Sequence, residues 1–470
     1  MLSRRSFLKS GALAAASFTI VPRHVLGRGY IAPSDKLNIA AVGCGGKADF
    51  NIRQAFNGGT DNIVALCDVD DRQAKKYREQ FASAPYFHDY RELFDKADKT
   101  FDAVIITTPD HMHAPIAMAA MNLGKHVYVE KPLTHDIYEA RMLTEAARRN
   151  KVVTQMGNQG SSGDATRYVE ALIQAGVIGP VHTVYCWTNR PVWPQGVQSP
   201  KDKNQSQPVP SEVDWNKWLG TAPYRDYHAA YMPFRWRGYW DFGTGALGDM
   251  GCHFMDVPFR ALKLNYPTSV ECSVGSVYAD FFQEAFYSDV CPPSSTVHLT
   301  FPSEQKKVKE IKFSWFDGGI RPPLPDGVAY EQVFFDTNGG MLFIGTKGML
   351  AAGLFGDNYR LLPAETFEGR AQITPARPLV EGKADGHQQQ WVKACKQGYR
   401  AYTSSSFDEA GPLTETVLMG NLATRSYLAR ENGQFTGRKK LFWNGATMNI
   451  TNYDYANQFV KRTYANGYSL

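Results

Sequence analysis

Three residues of this chain have the side chains needed to move a proton on and off a hydroxyl group. Lys131 follows the apolar run 126–129 and precedes Pro132, and Asp249 and His253 stand four positions apart. A cation lowers the pKa of a nearby hydroxyl, and an imidazole takes or returns a proton near neutral pH. On a helix, Asp249 and His253 share one face, where Asp249 orients the substrate or the imidazole. These three are the predicted catalytic residues.

Two alternatives stay open for residues of this kind. Lys131 at a strand end also suits a surface salt bridge with Glu130. A metal site would draw on Asp249, His253, Asp256, His111 and His113. Zinc takes three or four ligands in a closed geometry, and no such spacing is complete here, so no metal is predicted.

A glycine-rich turn upstream predicts the element that positions Lys131. The β-rich run 36–42 leads into Gly43, Gly45 and Ala48, followed by a helical pattern to Phe56. Gly43 permits the tight turn, Gly45 lets the backbone approach a pyrophosphate, and Ala48 allows close helix–strand packing. The motif therefore predicts a dinucleotide-binding fold.

An acidic residue at the end of the next strand supports this interpretation and selects the cofactor. Asp68 ends the run 62–67 and lies 25 positions after Gly43, where a carboxylate meets the adenosine ribose 2′-hydroxyl. A carboxylate there repels a 2′-phosphate, which favours NAD over NADP. Arg72, a few residues on, leaves NADP as the less favoured alternative.

The periodicity of the chain predicts a parallel sheet followed by a region of antiparallel strands and helices. Strand-like runs at 102–107, 126–129 and 151–155 alternate with helical stretches at 71–82, 114–123 and 136–149, which indicates a parallel, doubly wound sheet over 34–156. The rest of the chain, 157–470, shows alternating strands between 268 and 375 and helical patterning between 387 and 430. Residues 440–470 carry no assignable pattern.

Two further motifs carry a family resemblance. Residues 107–113 with 130–132, and residues 240–256, resemble the Gfo/Idh/MocA oxidoreductases. The resemblance covers most of the chain after residue 36. It implies a Rossmann domain, a single C-terminal α/β domain over 157–470 with a large, mostly antiparallel sheet, and a homo-oligomer, dimer or tetramer. It also carries the family's Lys, Asp and His onto Lys131, Asp249 and His253. The predicted cofactor residues are Gly43, Gly45, Gly46, Ala48, Asp68, Thr108, Pro109, His113, Glu130 and Lys131.

A long aromatic stretch before Asp249 is the predicted substrate region. Six of the nine tryptophans fall between 187 and 240, among many prolines. Aromatic faces stack on pyranose rings and arginines hydrogen-bond hydroxyls, although most such rings in a long loop form a satellite core. The candidate sugar contacts are Arg190, Trp193, Trp236 and Arg237.

Composition and charge exclude several classes of protein. With 470 residues, 43% hydrophobic and 13% aromatic, the chain can build sizeable cores. The formal charge is 51 − 46 = +5, but five of the cations lie in the first 28 residues without an acidic residue. The rest is close to neutral, so nucleic-acid binding is not expected. Seven scattered cysteines support neither a zinc ribbon nor a disulfide framework.

The first residues predict export. Arg4 and Arg5 precede a short apolar stretch, 11–21, which cannot span a bilayer core of about 30 Å. This arrangement is typical of a twin-arginine signal, so residues 1–33 are interpreted as signal and linker. The route carries folded proteins, which predicts a periplasmic protein with its cofactor tightly bound and with no membrane insertion.

Three functions compete at this stage. The first is an NAD-dependent dehydrogenase of a sugar or glycoside. The second is a glycosidase that oxidises a ring carbon, eliminates the aglycone and returns the hydride, as in similar NAD-dependent N-acetylgalactosaminidases; Tyr231 or Tyr239 would remove the C2 proton. The third is a sugar-binding protein without catalysis.

Overall fold

The structure is a computed structural model that describes residues 32–285, 287–367 and 373–470. The arginine pair and the apolar stretch of the predicted export signal lie outside the described residues. Among the described residues no helix is long and apolar enough to cross a membrane.

The first half of the chain alternates strands and helices. Its strands are β1 (Asn38–Val42), β2 (Asn62–Cys67), β3 (Tyr86–Phe87), β4 (Ala103–Ile106), β5 (His126–Val129) and β6 (Thr154–Met156). Its helices are α1 (Ala48–Phe56), α2 (Asp71–Gln80), α3 (Tyr90–Ala97), α4 (His113–Asn122) and α5 (Ile137–Asn150). The strands form a parallel sheet in the order β3-β2-β1-β4-β5-β6, which confirms the predicted doubly wound fold.

Local sequence explains where these elements begin. All four residues of β4 are buried, as expected for a strand covered by helices on both faces. Asp70, Asp89 and Asp136 precede α2, α3 and α5, and each side chain accepts a hydrogen bond from the first turn of its helix. Because all the strands run parallel, their carboxyl ends lie at one edge of the sheet, and the loops that lead into the helices begin there.

The second half builds a large mixed sheet. Its strands are β7 (Val181–Thr188), β8 (Ser269–Val274), β9 (Val277–Asp280), β10 (Gln283–Ala285), β11 (Ser295–Pro302), β12 (Glu310–Phe316), β13 (Gly339–Gly345), β14 (Met349–Ala352), β15 (Arg360–Leu362), β16 (Arg430–Glu431), β17 (Gln434–Phe435), β18 (Leu441–Asn444) and β19 (Asn449–Ile450). Nine of them follow the order β15-β14-β13-β7-β12-β11-β8-β18-β19. Only β7 and β12 pair in parallel within this sheet, so the predicted, mostly antiparallel architecture is confirmed.

Helices of the second half join the two sheets. They are α6 (Asp164–Gln174), α7 (Trp215–Leu219), α8 (Gly245–Phe254), α9 (Asp256–Ala261), α10 (Tyr330–Val333), α11 (His387–Gln397) and α12 (Phe407–Tyr427). Trp391 of α11 is fully buried in one core with residues of β1, β2 and α1. Helix α12 packs against both α5 and α8. The second half thus completes the core of the first.

Candidate active site

A cavity of about 710 Å³ opens at the carboxyl edge of the parallel sheet. The loops after β1, β2, β4 and β5 form one side, and α8, residues 232–234, residues 236–237 and Phe355 form the other. In open α/β sheets this edge is where ligands bind. This volume lies within the usual range of ligand pockets, roughly 300–1,000 Å³.

The glycine turn lies where the sequence predicts it. Gly43 has φ +84°, and a Cβ there would lie 2.5 Å from the Thr107 carbonyl oxygen, so only glycine fits beside β4. A Cβ on Gly45 would lie 2.3 Å from the Gln73 side-chain oxygen, whereas Gly46 borders open space. No side chain caps the start of α1, whose N-terminus faces the cavity. Ala48 is buried behind the cavity, in helix–strand packing.

Asp68 lines the cavity at the end of β2. Its carboxylate accepts hydrogen bonds from the Cys44 N–H at 2.7 Å and the Asp70 N–H at 3.0 Å. Burial raises the pKa of Asp68 to about 6 despite these bonds. Arg72 instead binds Asp70 through two nitrogens, at 2.8 and 2.7 Å, and does not line the cavity.

Lys131 and Asp249 meet across the cavity. The Lys131 Nζ donates to Asp249 Oδ1 and to the Asp249 carbonyl oxygen, both at 2.7 Å. Arg237 lies on the other side, with Nε 3.5 Å from Asp249 Oδ1. Burial alone raises the pKa of Asp249, but Lys131 and Arg237 outweigh it and hold the pKa at about 2. Asp249 is therefore ionised and keeps Lys131 in place. The salt-bridge partner of Lys131 is thus Asp249 and not Glu130.

His253 stands one turn after Asp249 on α8, so the two residues share a helix face as the spacing predicts. Burial, together with the nearby Lys131 cation, lowers the pKa of His253 well below its usual value, which makes the ring neutral at pH 7. Its Nδ1 has no hydrogen-bond partner among the described residues. Phe355 packs edge-on against the ring, with centroids 5.3 Å apart. A neutral, unpartnered imidazole can accept a proton.

Asp110 is a site residue that the sequence analysis missed. Its carboxylate lines the cavity and accepts a hydrogen bond from the Thr244 hydroxyl at 2.6 Å. Burial raises the pKa of Asp110, while His113 opposes the rise. Asp110 follows β4 at the cavity edge, and this position after a buried strand was the signal that could have found it.

The remaining predicted cofactor residues hold the loops after β4 and β5. Thr108, Pro109 and Glu130 line the cavity, and Glu130 accepts a hydrogen bond from the Asn51 side chain at 2.9 Å. His113 does not line it. Its ring nitrogens lie 2.8 Å from the Thr108 and Pro132 carbonyl oxygens. His113 therefore joins the two loops and is not placed to touch a cofactor.

Three of the four predicted substrate contacts line the cavity. Arg190 does so without a side-chain hydrogen bond or ion pair to any described residue, and its Nε is buried. Arg237 stacks between Trp236 and Phe234, with its Cζ 4.2 Å from each ring centroid. Trp193 does not reach the cavity, and this placement does not support the prediction. It packs edge-on against Phe234 and donates its N–H to Gln195 at 2.8 Å.

The other aromatic residues of this region form a satellite core. The buried cluster comprises Trp215, Trp218, Tyr227, Tyr231, Trp236, Tyr239 and Phe242, with smaller neighbours. Tyr231 and Tyr239 lie inside it and away from the cavity, and burial raises the pKa of both phenols. This placement does not support the expectation that either phenol removes a substrate proton. Among the described residues, no group of three or more His, Cys, Asp or Glu could hold a metal ion.

Two family models match consecutive parts of the chain. One, described as an oxidoreductase family with an NAD-binding Rossmann fold, matches residues 37–158. The other, described as the C-terminal alpha/beta domain of the same oxidoreductase family, matches residues 163–279. Both carry the name Gfo/Idh/MocA, and together they cover the glycine turn, Lys131, Asp249 and His253.

Individual proteins agree with these matches. A protein named glycosyl hydrolase family 109 protein 1, from Shewanella sp. strain ANA-3, is 29% identical over 203 residues, which are 38% of this chain and 44% of that protein. The aldose-aldose oxidoreductase of Caulobacter crescentus, solved with glycerol, has a TM-score of 0.56 and 17% identity over 83% of this chain and 98% of its own. The WlbA dehydrogenase of Bordetella pertussis, solved with NADH and UDP-GlcNAcA, has a TM-score of 0.53 and 16% identity over 82% and 94% of the two chains.

Proposed function

The chain belongs to the Gfo/Idh/MocA oxidoreductase family, and from that premise we propose that it oxidises a hydroxyl group of a sugar or glycoside with NAD. The observation that carries the proposal is one continuous cavity. It has a dinucleotide turn at one end and Lys131, Asp249 and His253 at the other.

The residues at the turn fit NAD. The uncapped N-terminus of α1 and the open space at Gly46 suit a pyrophosphate, and Asp68 suits a ribose 2′-hydroxyl. Asp68 repels a 2′-phosphate, and Arg72 is held by Asp70, so the groups favour NAD over NADP. When bound, NAD supplies the acceptor for a hydride from the substrate carbon.

The chain's own residues handle the proton. Lys131 places a cation beside the reacting hydroxyl and lowers the pKa of that hydroxyl. Neutral His253 takes the proton on a ring nitrogen and returns it in the reverse direction. Asp249, ionised and bonded to Lys131 at 2.7 Å, fixes the ammonium group and compensates its charge. Arg190, Trp236 and Arg237 provide hydrogen bonds and an aromatic face for the sugar ring.

One preparation tests this proposal. The full chain is purified, part is denatured, and released small molecules are identified by mass spectrometry. We expect about one NAD per chain, held tightly enough to survive purification, and an absorbance rise at 340 nm on adding the right sugar. A protein that neither contains nor binds NAD would contradict the enzyme proposal and leave a sugar-binding protein.

A second candidate function follows from the matched relatives named glycosyl hydrolase family 109. Oxidation of a ring carbon acidifies the neighbouring C–H, so the aglycone can be eliminated, water added and the hydride returned, with no net redox change. This route needs a base for the C–H proton, and Asp110, buried at the cavity with a raised pKa, is the available carboxylate. Release of 4-nitrophenol from 4-nitrophenyl glycosides without added NAD would select this function; a stable keto-sugar would select the first.

Location and assembly are part of the proposal. We infer a periplasmic protein exported by the twin-arginine route, from Arg4, Arg5 and the apolar stretch after them. Arg4→Lys with Arg5→Lys is expected to keep the protein in the cytoplasm, as judged by cell fractionation. We also propose a homo-oligomer, a dimer or tetramer, which light scattering after size exclusion tests. A monomer at micromolar concentration would contradict it.

A further inference from the structure

The last residues of the chain reach the cavity, although their sequence shows no pattern. We name residues 462–468 the strap. Tyr468 of the strap lines the cavity beside His88, Asp89 and Tyr90. The Tyr468 ring is half-buried, and its centroid lies 6.4 Å from that of the Tyr90 ring. The Arg91 guanidinium lies over the Tyr468 ring, 4.6 Å from the ring centroid. An aromatic ring from the far end of the chain therefore forms a wall of the cavity.

The part of the cavity wall that Tyr468 forms lies at the end of the cavity near Asp68. Strand β3 pairs with β2 at Cys67 and Phe87, which places residues 88–90 directly beside Asp68. In a sheet of this order, the half containing β1–β3 takes the adenosine part of a dinucleotide, and the carboxylate after β2 takes its ribose. Tyr468 thus lies at the adenosine end, away from Lys131 and His253.

The strap is held by buried polar contacts. Arg462 donates to Glu139 through Nε and Nη2 at 2.9 and 2.7 Å, to the Thr221 hydroxyl at 2.8 Å and to the His111 carbonyl at 2.6 Å. The Tyr464 hydroxyl donates to the same Glu139 oxygen at 2.6 Å. Glu139 is 1% exposed, so this anchor is shielded from water. It fixes the strap to the start of α5.

A second set of contacts leads from the anchor to Tyr468. The Ala465 N–H donates to the Thr221 carbonyl at 3.0 Å, and the Asn466 side chain donates to the Gly220 and Ala222 carbonyls at 2.8 and 3.0 Å. The Tyr468 N–H closes a turn on Ala465 at 3.1 Å. The hydrogen bonds of Ala465 and Asn466 to residues 220–222, together with the turn that Tyr468 closes on Ala465, therefore fix the backbone that carries the Tyr468 ring.

We propose that Tyr468 stacks on the adenine of the bound dinucleotide and that the strap retains the cofactor between turnovers. The inference rests on the proposed function, since it needs NAD in this groove. A purine base offers a flat face to the phenol ring, and base–aromatic stacking is strong enough to slow release about tenfold or more. A periplasmic enzyme, the location proposed above, has no pool of free NAD with which to exchange its cofactor and therefore requires such retention.

The test measures release of bound NAD, independently of turnover. Full-length wild type, Tyr468→Ala and Tyr468→Phe are loaded with radiolabelled NAD and diluted into unlabelled NAD, and retained label is followed by rapid filtration. Tyr468→Ala is expected to release label about tenfold faster or more, whereas Tyr468→Phe keeps the ring and releases it at the wild-type rate. Tyr224→Ala is the matched control, because Tyr224 is 68% exposed and lies outside the cavity.

The outcomes separate the two proposals. If wild type binds no NAD, the proposed function fails and the strap inference fails with it. If wild type retains NAD and Tyr468→Ala releases it at the same rate, only the strap inference is overturned. Unchanged thermal unfolding of apo Tyr468→Ala shows that a faster release reflects the lost ring and not a damaged fold.

Discussion

Lys131 and Asp249 form the central charge pair of the cavity, and each depends on the other. The ammonium group is bonded at 2.7 Å to a carboxylate whose pKa it helps to hold at about 2. This pair gives the cation a fixed place beside the imidazole of His253, which stays neutral because burial and the Lys131 cation lower its pKa. The proposed proton acceptor, His253, and the cation, Lys131, are therefore separate groups, and substitutions can distinguish their roles.

Lys131→Met is expected to lower kcat by about 10²–10⁴-fold, because the cation that acidifies the substrate hydroxyl is lost. The measurement is reduction of bound NAD at 340 nm in a single turnover. Lys99→Met, at an exposed position, is the control. Since Asp249 loses its partner, circular dichroism must first show that the variant is folded. Full activity in the folded variant would contradict the role of Lys131.

The pH dependence tests His253. Burial holds the pKa of His253 well below its usual value of about 6.5, so the base stays unprotonated as pH falls from 8 to 6. We expect kcat to be flat over this range and to fall only at lower pH, when the ring becomes protonated. A break in the pH profile of kcat near pH 6.5 that disappears in His253→Asn would show that the His253 imidazole titrates as a solvent-exposed group. That result would contradict its buried position.

Arg190 lines the cavity and has no ion pair with any described residue. Arg190→Ala is expected to raise KM about tenfold or more with a smaller effect on kcat, because a hydrogen bond from a charged group to the substrate is lost. Arg235→Ala, two positions from the lining residue Arg237 but exposed and outside the cavity, is the matched control. An unchanged KM would show that Arg190 does not touch the substrate.

At the scale of elements, the loops after the parallel strands build the site. The turn after β1 brings α1 to the cavity, the loop after β4 contributes Asp110, and the loop after β5 contributes Lys131. His113 fastens the last two loops to each other. The site geometry therefore depends on backbone conformations as much as on reactive side chains.

Gly43→Ala tests the first of these loops. Its φ of +84° strains any other residue, and the new Cβ would lie 2.5 Å from a backbone oxygen of the loop after β4. We expect the free energy of unfolding to fall by about 2–4 kcal/mol. Gly58→Ala is matched, since Gly58 has φ +64° but no atom within 4 Å of the new Cβ; its cost is about 1–2 kcal/mol. Equal losses in urea unfolding would show that the close approach to β4 does not matter.

At the scale of the whole molecule, the two halves share cores. Helix α11 comes from residues 387–397, yet Trp391 is buried with β1 and α1, and Gln388 donates to Asn51 at 2.8 Å. The strap likewise runs from the end of the chain back to α5 and the cavity. The predicted boundary at residue 156 separates the two sheets but does not separate their packing.

Trp391→Ala is therefore expected to destabilise the full chain by about 3–5 kcal/mol, because it empties a fully buried indole volume. Urea unfolding followed by circular dichroism measures the change, and we expect NAD binding to weaken together with stability. Phe442→Ala is the control, since Phe442 is 49% exposed. A loss below about 1 kcal/mol would show that α11 is not part of the first core.

The sequence alone predicted the parallel sheet, the glycine turn, Asp68 and the three residues Lys131, Asp249 and His253, all of which line the cavity or position it. These features depend on short spacings: a glycine that must follow a strand directly, an acid at the next strand end, a lysine after a third strand, and two residues one helical turn apart. Local steric and hydrogen-bonding rules act over such distances, so a pattern of a few residues is sufficient. The antiparallel character of the second sheet followed from period-two alternation in the same way.

Only the tertiary structure decided which other side chains reach the cavity. Trp193 packs against Phe234 and Gln195 and does not line the cavity, whereas Trp236, in the same stretch, belongs to the satellite core and also lines the cavity. Phe355 and Tyr468 joined the site from segments whose sequences carry no periodic signal. Their positions depend on packing between segments up to several hundred residues apart, and the free energy of such contacts is not encoded in any local spacing.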